Sequence, residues 1–257
     1  MARKTEGDAP ARTVLVTGAS RGIGAATARL CARDGWVVAV NYASDSAAAQ
    51  RVVDSIRAGG GSALALQADV ADAAQVQAMF ARIDAELPRF GALVNNAGVI
   101  DVPSRVDAMR PQRLQRMFAI HVFGSFYCAR EAVQRLSTAQ GGPGGSIVNL
   151  SSAAARLGAA GQYVDYAAAK AAIDTFTVGL AREVAAEGIR VNAVRPGIID
   201  TEIHASGGLP DRAWQAAPQV PMQRPGSAEE VAQAIVWLLS DAASYTTASI
   251  LDVTGGR

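Results

Sequence analysis

Seven short runs of β-branched and aliphatic residues recur along the chain, each separated from the next by an alanine-rich stretch long enough for a helix. They are TVLVT (13–17), WVVAVN (36–41), SALALQA (62–68), ALVNNA (92–97), SIVNLS (146–151), RVNAVR (190–195) and SILDV (249–253). Runs of this apolar continuity read as strands covered on both faces, and helical spacers let successive strands lie parallel through right-handed crossovers. The expectation is an α/β chain forming a single domain over 1–257: a doubly wound, mostly parallel sheet of about seven strands with helices on both faces. GGPGG at 141–145 reads as a turn, because the strand and helix rhythm resumes on both sides of it. The rhythm breaks at 200–226, rich in Gly and Pro, where a segment of such length is expected to be a substrate lid.

With half of its 257 residues hydrophobic, the chain can bury a full core, and a formal net charge of +1 with scattered Lys and Arg argues against nucleic acid or anionic lipid as partner. The first eleven residues are polar and charged, are expected to be flexible, and lack the apolar core of a secretory signal; nowhere do 18 apolar residues run together. A cytoplasmic protein with no membrane contact is expected. Cys31 and Cys128 have no CxxC partner, which suits buried or half-buried thiols in a reducing compartment and argues against a structural zinc; no metal is expected.

TVLVTGASRGIG (13–24) joins a buried strand to a glycine-rich turn and a helix. Gly18, Gly22 and Gly24 would let the backbone approach a ligand, and the free N–H groups of the helix start favour a pyrophosphate. Their spacing, G-x-x-x-G-x-G, differs from the common dinucleotide pattern, and a plain strand-to-helix turn is the other reading. The second strand ends in Asn41, Tyr42 and Ala43, where an enzyme that selects NAD would present a carboxylate to the ribose 2′-hydroxyl. With no acid there, and with Arg21 able to pair with a 2′-phosphate, the site leans toward NADP, with NAD still accommodated; a solvated Arg21 is the alternative. Asp45 is expected to cap the following helix. Asp69 and Val70 follow the third strand where an adenine would lie, and Asp69 could also cap the 72–86 helix. In NNAG (95–98), asparagine amides would tie strand ends and Gly98 would let the chain pass close under a ribose.

In YVDYAAAK (163–170), Tyr166 and Lys170 stand four apart and share a helix face, whereas Tyr163 has only Ala167 at that spacing. A phenol titrates near pH ~10, and a neighbouring ammonium would lower that value and make Tyr166 a usable acid or base. An aromatic ring packed on a lysine stem is the bland reading. The fifth strand ends in Ser151 and Ser152, at the sheet edge where open α/β proteins bind ligands.

TGASRGIG, NNAG, the serine, YAAAK, RPGIIDT (195–201) and the closing LDVTGG together resemble the short-chain dehydrogenase/reductase family over nearly the whole chain, from Thr13 to Gly256, with likeness to 3-oxoacyl-carrier-protein reductases and glucose-dehydrogenase-like members. The resemblance implies a Rossmann-type fold, a homotetramer, and hydride transfer between NAD(P) and a small carbonyl or alcohol substrate. Carried onto this chain, cofactor contacts fall on Gly18, Ser20, Arg21, Ile23, Asn41, Tyr42 and Ala43, then on Asp69, Val70, Asn95, Ala97 and Gly98. They continue on Tyr166 and Lys170 and close with Pro196, Gly197, Ile199 and Thr201. Tyr166 becomes the acid or base, Lys170 also holds the nicotinamide ribose, and a serine donates to the substrate oxygen.

Two positions depart from the family pattern. Its serine commonly stands thirteen residues before the tyrosine, but that position is Ala153; Ser152, one residue further back, is the expected replacement, with Ser151 on the other side of the strand. In FAIHVFGSF (118–126), His121 takes the place of an asparagine that in the family holds a helix distortion whose carbonyl positions a relay water. His121 is expected either to keep that relay in altered form or to be a packed histidine with no catalytic part. His204 is given no role, and Trp214 and Met222 are expected either to touch substrate or to pack in a core or oligomer contact. A catalytically silent NADP-binding sensor or interaction subunit is the alternative function. A sugar-nucleotide epimerase would need more than the roughly 60 residues that follow Arg195.

Overall fold

A computed structural model describes residues 11–257, so the segment expected to be flexible lies, but for its last residue, outside the described residues. All seven runs form strands: β1 (Thr13–Val16), β2 (Val37–Tyr42), β3 (Ser62–Gln67), β4 (Phe90–Asn95), β5 (Gly145–Leu150), β6 (Ile189–Pro196) and β7 (Ile250–Val253). They make one sheet in the order β3-β2-β1-β4-β5-β6-β7, and every pairing is parallel. Strand order reverses between β1 and β4, which opens a crevice at the carboxyl edge of those strands.

Helices α1 (Gly22–Arg33), α2 (Ser46–Ala58) and α10 (Ala228–Leu239) cover one face, and α3 (Ala73–Glu86), α5 (Gly124–Leu136) and α7 (Val164–Val184) the other. The two-residue period of β1 explains the division. Val14 and Val16 join Val38, Val40, Val94 and Val148 beneath the first helix layer. Leu15, between them, joins Leu93, Ile147 and Val191 beneath the second. Full burial of each such leucine or isoleucine contributes roughly 1.5–3 kcal/mol relative to exposure.

Helix starts follow side-chain chemistry. Asp45 accepts from Ala48 N–H and caps α2, as expected. Asp69 does not cap α3: Asp72 accepts from Ala74 and Gln75 N–H, while Asp69 turns back to Ala71 N–H. Ser227 and Glu230 form a reciprocal capping box at the start of α10. Between α5 and the short α4 (Pro111–Phe118) lies a single π-helical turn, Ala119–Phe123.

The irregular stretch 200–226 is a flap with pinned ends. Asp200 N–H donates to Gly226 O, and Gly226 N–H donates to Ile198 O, both at 2.9 Å. Within it lie the four-residue helices α8 (Ile203–Ser206) and α9 (Arg212–Gln215); a further four-residue helix, α6 (Ala154–Leu157), follows β5. Among the described residues no helix is long and apolar enough to cross a membrane, and no cluster of three or more His, Cys, Asp or Glu side chains could hold a metal. Cys31 and Cys128 are free and buried, and burial pushes each thiol up to about 12.

Candidate active site

A continuous cavity of about 1050 Å³ runs along the carboxyl edge of the sheet, from the glycine turn after β1 to the start of α7 and the flap. At one end, Gly18 adopts φ +60°, and a Cβ placed there would lie 2.8 Å from Ala97 Cα, so only glycine lets the β1 and β4 ends approach this closely. Asn96 holds the turn by donating its amide to Thr17 O (2.8 Å) and Gly18 O (3.1 Å). The first turn of α1 faces this end with N–H groups that have no intrahelical acceptors. Ser20, Arg21, Ile23, Ala97 and Gly98 line the same space.

Tyr42, Ala43, Asp69 and Val70 border the cavity beyond the turn. Arg21 is exposed at the N-cap of α1 and pairs with no carboxylate among the described residues. The side chains of two residues expected to touch the cofactor hold strand ends. Asn41 lines the cavity but is buried: its Oδ1 accepts from Gly18 N–H, and its amide donates to Leu66 O and Ala68 O, so the side chain ties three strand ends. Asn95 lies outside the cavity lining, donating to Ser125 O and Asn149 Oδ1 beneath it; its neighbour Asn96 is the one that reaches the turn.

At the other end, Ser152, Tyr166 and Lys170 all line the cavity, with Pro196, Gly197, Ile199 and Thr201 alongside. Ser152 Oγ accepts from Ala154 N–H and hydrogen-bonds the Tyr166 phenol, whereas Ser151 points into the β5–α7 packing and donates to Lys170 O. Lys170 Nζ donates to Leu150 O at 2.5 Å and lies 5.7 Å from the Tyr166 ring centroid. Burial pushes Lys170 down to about 7, opposed by the charge of Asp174 one turn further along α7. The electrostatic balance differs from the expected one. Burial pushes the Tyr166 phenol above its ordinary value, and the forces that oppose this are the Ser152 hydrogen bond and the charge of Arg212. Lys170 sits beside the ring and is not among the charges that act most on the phenol.

His121 occupies the centre of the π turn. Its Nε2 lies 2.7 Å from Val99 O and 3.1 Å from Val99 N, and its ring meets Tyr166 edge-on at 5.2 Å. A Cβ on Gly98 would stand 2.6 Å from His121 Cε1, so the imidazole requires that glycine. Burial, assisted by Lys170, pushes His121 down to about 3. Burial thus favours the uncharged imidazole, and the His121 carbonyl accepts from Ser125 Oγ at 2.7 Å.

One residue before Tyr166, Asp165 is fully enclosed and takes a two-pronged ion pair from Arg113 of α4 (2.7 and 3.1 Å). Arg113 also donates to Val102 O, tying the post-β4 loop to the catalytic helix. The flap presents Ile203, His204 and Arg212 to the cavity. Trp214 and Met222, expected to touch substrate or to pack in a core or oligomer contact, stand outside it and are each 61% exposed. Successive helical residues rotate by about 100°, so Trp214 faces away from Arg212 two positions earlier, and its indole donates to Asp200.

The family model described as Enoyl-(Acyl carrier protein) reductase matches residues 18–257. The chain is 56% identical over 243 residues to the uncharacterized oxidoreductase YgfF of Escherichia coli K12, covering 95% of this chain and 98% of that one. It is 40% identical over 253 residues to 3beta-hydroxysteroid dehydrogenase 1 of Eggerthella lenta, covering 97% and 94%. A solved short-chain dehydrogenase of Burkholderia cenocepacia in complex with NADP superposes with a TM-score of 0.85 at 33% identity, covering 95% of this chain and 97% of that one. The chain belongs to the short-chain dehydrogenase/reductase family. It is an oxidoreductase of that family, acting between alcohol and carbonyl groups with a nicotinamide cofactor.

Proposed function

We propose that this chain is an NADP-dependent reductase or dehydrogenase of a carbonyl or secondary alcohol, with Tyr166 as its acid and base. The observation that carries the reading is one continuous cavity with a glycine turn and helix start at one end and Ser152, Tyr166 and Lys170 at the other. The glycine cradle, which a Cβ at Gly18 would fill, fits a pyrophosphate; Lys170 fits the sugar hydroxyls next to the reacting ring. The cofactor, when bound, supplies or accepts the hydride at the substrate carbon.

The protein's own part is proton handling and positioning. Ser152 donates to the substrate oxygen. The raised phenol value keeps Tyr166 protonated at neutral pH, ready to give its proton to that oxygen during reduction and to take it back during oxidation. Lys170, lowered by burial and standing beside the ring, would hand a proton back to the phenol. His121 serves as a neutral strut that holds Val99 and the face of Tyr166. Preference for NADP rests on Arg21 and Tyr42 at the β2 end, with Asp45 engaged as a helix cap. The flap 200–226 closes the reactive end. The exposed Phe123 and Phe126, with Phe126 stacked on Phe176 at 3.9 Å, support contact between copies in a homotetramer, which sedimentation would check. The silent-subunit alternative is not favoured, because Ser152, Tyr166 and Lys170 share the one cavity.

The test follows consumption of NADPH and NADH over a panel of ketones. The reading expects faster turnover with NADPH and a collapse of the rate in Ser152→Ala. Cofactor binding with no turnover across the panel sinks it.

A further inference from the structure

Arg212 enters the reactive end of the cavity from the flap and lies over the ring of Tyr163, its guanidinium carbon 4.7 Å from the ring centroid. No carboxylate among the described residues pairs with it. Asp200, at the foot of the flap, is taken by the Trp214 indole at 3.0 Å. A guanidinium half-withdrawn from solvent and stacked on an aromatic face is held in one orientation with its donors unspent.

Two further groups lining the same cavity have unmet hydrogen bonds. The Tyr163 hydroxyl is buried without a partner. His204 approaches Ile199 O through Nε2 at 3.0 Å, which places the proton on that nitrogen and leaves the buried Nδ1 as a bare acceptor. Buried polar atoms without partners are costly, and two of them beside an unpaired guanidinium around one space describe a ligand: an anion for the guanidinium and phenol, and a hydroxyl for the imidazole. Tyr163 precedes Tyr166 by three residues, nearly one helical turn, and the charge of Arg212 is felt at the Tyr166 phenol. The anionic group therefore lies only a few atoms from the reacting carbon.

We propose that the substrate is a short oxo or hydroxy acid whose carboxylate is gripped by Arg212, with Tyr163 and His204 completing the recognition. The assignment rests on the oxidoreductase reading above, and adds to it the chemical class of the substrate. A phosphate or phosphonate would offer the same oxyanion edge, so the test includes one.

Initial rates with NADPH are compared for acetoacetate, its methyl ester and a ketone phosphonate, in the wild type and in Arg212→Gln. The ratio of kcat/KM for acid over ester is expected to be about tenfold or more in the wild type and to fall toward one in Arg212→Gln, with Arg212→Lys between, since a point charge lacks the fork. A phosphonate preferred over the acid moves the ligand class from carboxylate to phosphate and overturns the carboxylate assignment. An unchanged ratio in Arg212→Gln overturns the proposal, as does a loss of NADPH affinity with the ratio kept, which would give Arg212 to the cofactor. A binding arm separates the two readings: malonate is titrated against cofactor-loaded protein and followed by the emission of Trp214, two residues from Arg212. Malonate bound at least tenfold more weakly by Arg212→Gln supports the anion site even if no ketone is turned over, in which case the oxidoreductase reading is what fails; equal binding by both proteins overturns the anion site.

Discussion

The two ends of the cavity are built from different materials. The glycine end is main chain: strand ends, a turn and the start of α1, held by Asn41 and Asn96, whose amides are engaged with the backbone. The reactive end is side chain, and three of the four buried side-chain polar atoms without a partner among the described residues belong to residues that line it: His121 Nδ1, Tyr163 Oη and His204 Nδ1, the fourth being Oδ1 of Asp174, which pairs with Arg195 outside the cavity. Each such atom costs about 1–3 kcal/mol. A fold tolerates that cost where a group must stay available, so on the reading proposed above the unmet side-chain hydrogen bonds mark the end that selects the substrate, while the glycine end offers main-chain N–H groups.

If the two ends are separable, substitutions should split cleanly between rate and cofactor affinity. The largest effect is expected for Tyr166→Phe, with kcat falling about 10²–10⁴-fold and NADPH affinity held within about twofold. Gly18→Val should do the opposite. At φ +60° and 2.8 Å from Ala97 Cα its side chain forces the turn apart, and NADPH affinity should drop about tenfold or more. Rapid-reaction kinetics and equilibrium titration of both variants decide; equal losses of rate and affinity in Tyr166→Phe would erase the distinction.

The next effect is on stability, again at the reactive end. Arg113→Ala leaves the Asp165 carboxylate enclosed and unpaired, which should cost about 3–5 kcal/mol in chemical unfolding. Replacing both partners with alanine should recover part of the loss. The exposed pair Arg82–Glu86 is the control, with an expected change below about 0.5 kcal/mol. A loss for Arg113→Ala no larger than the control's would mean that α4 does not brace the catalytic helix.

His121 ties the reactive end to acid pH. Its folded value near 3 lies below the ordinary 6.5, so between these values the unfolded chain binds the extra proton and stability is lost as pH falls from 6.5 toward 3. From pH 6.5 to 5 the wild type should lose about 2 kcal/mol more than His121→Asn in urea unfolding. Parallel pH curves for the two proteins would show that the imidazole is not held neutral.

The glycine end was the more legible in sequence, because backbone geometry leaves compositional marks. The seven apolar runs, the glycines after β1 and the Asp45 cap follow from local rules and appear where those rules put them. Tyr166 and Lys170 were paired correctly on one face by helical spacing, but the balance of charge around them was not legible, since the burial that lowers Lys170 comes from β5 and the π turn, distant in sequence. The strand-tying part of Asn95 was legible in NNAG, whereas that of Asn41 was not, because a polar residue at a strand end reads the same whether it faces a ligand or ties a neighbour. Arg212 and His204 escaped because the flap has no periodicity to say which of its side chains turn inward. Arg113 and Asp165 stand 52 residues apart, beyond any local pattern.

The smallest expected effect returns to the glycine end and to the exposed Arg21. Arg21→Ala should lower kcat/KM for NADPH about three- to tenfold and leave NADH within about twofold, because only the former carries the 2′-phosphate. The difference should shrink as salt rises, since a solvent-facing charge is screened within about 10 Å at 0.1 M. Equal losses for both cofactors would place Arg21 on the pyrophosphate they share, and the preference would then have to come from Tyr42 and Ala43 alone. In that event even the backbone-built end would owe its grip to a side chain, and the contrast between the two ends would narrow to which of them leaves its polar atoms unmet.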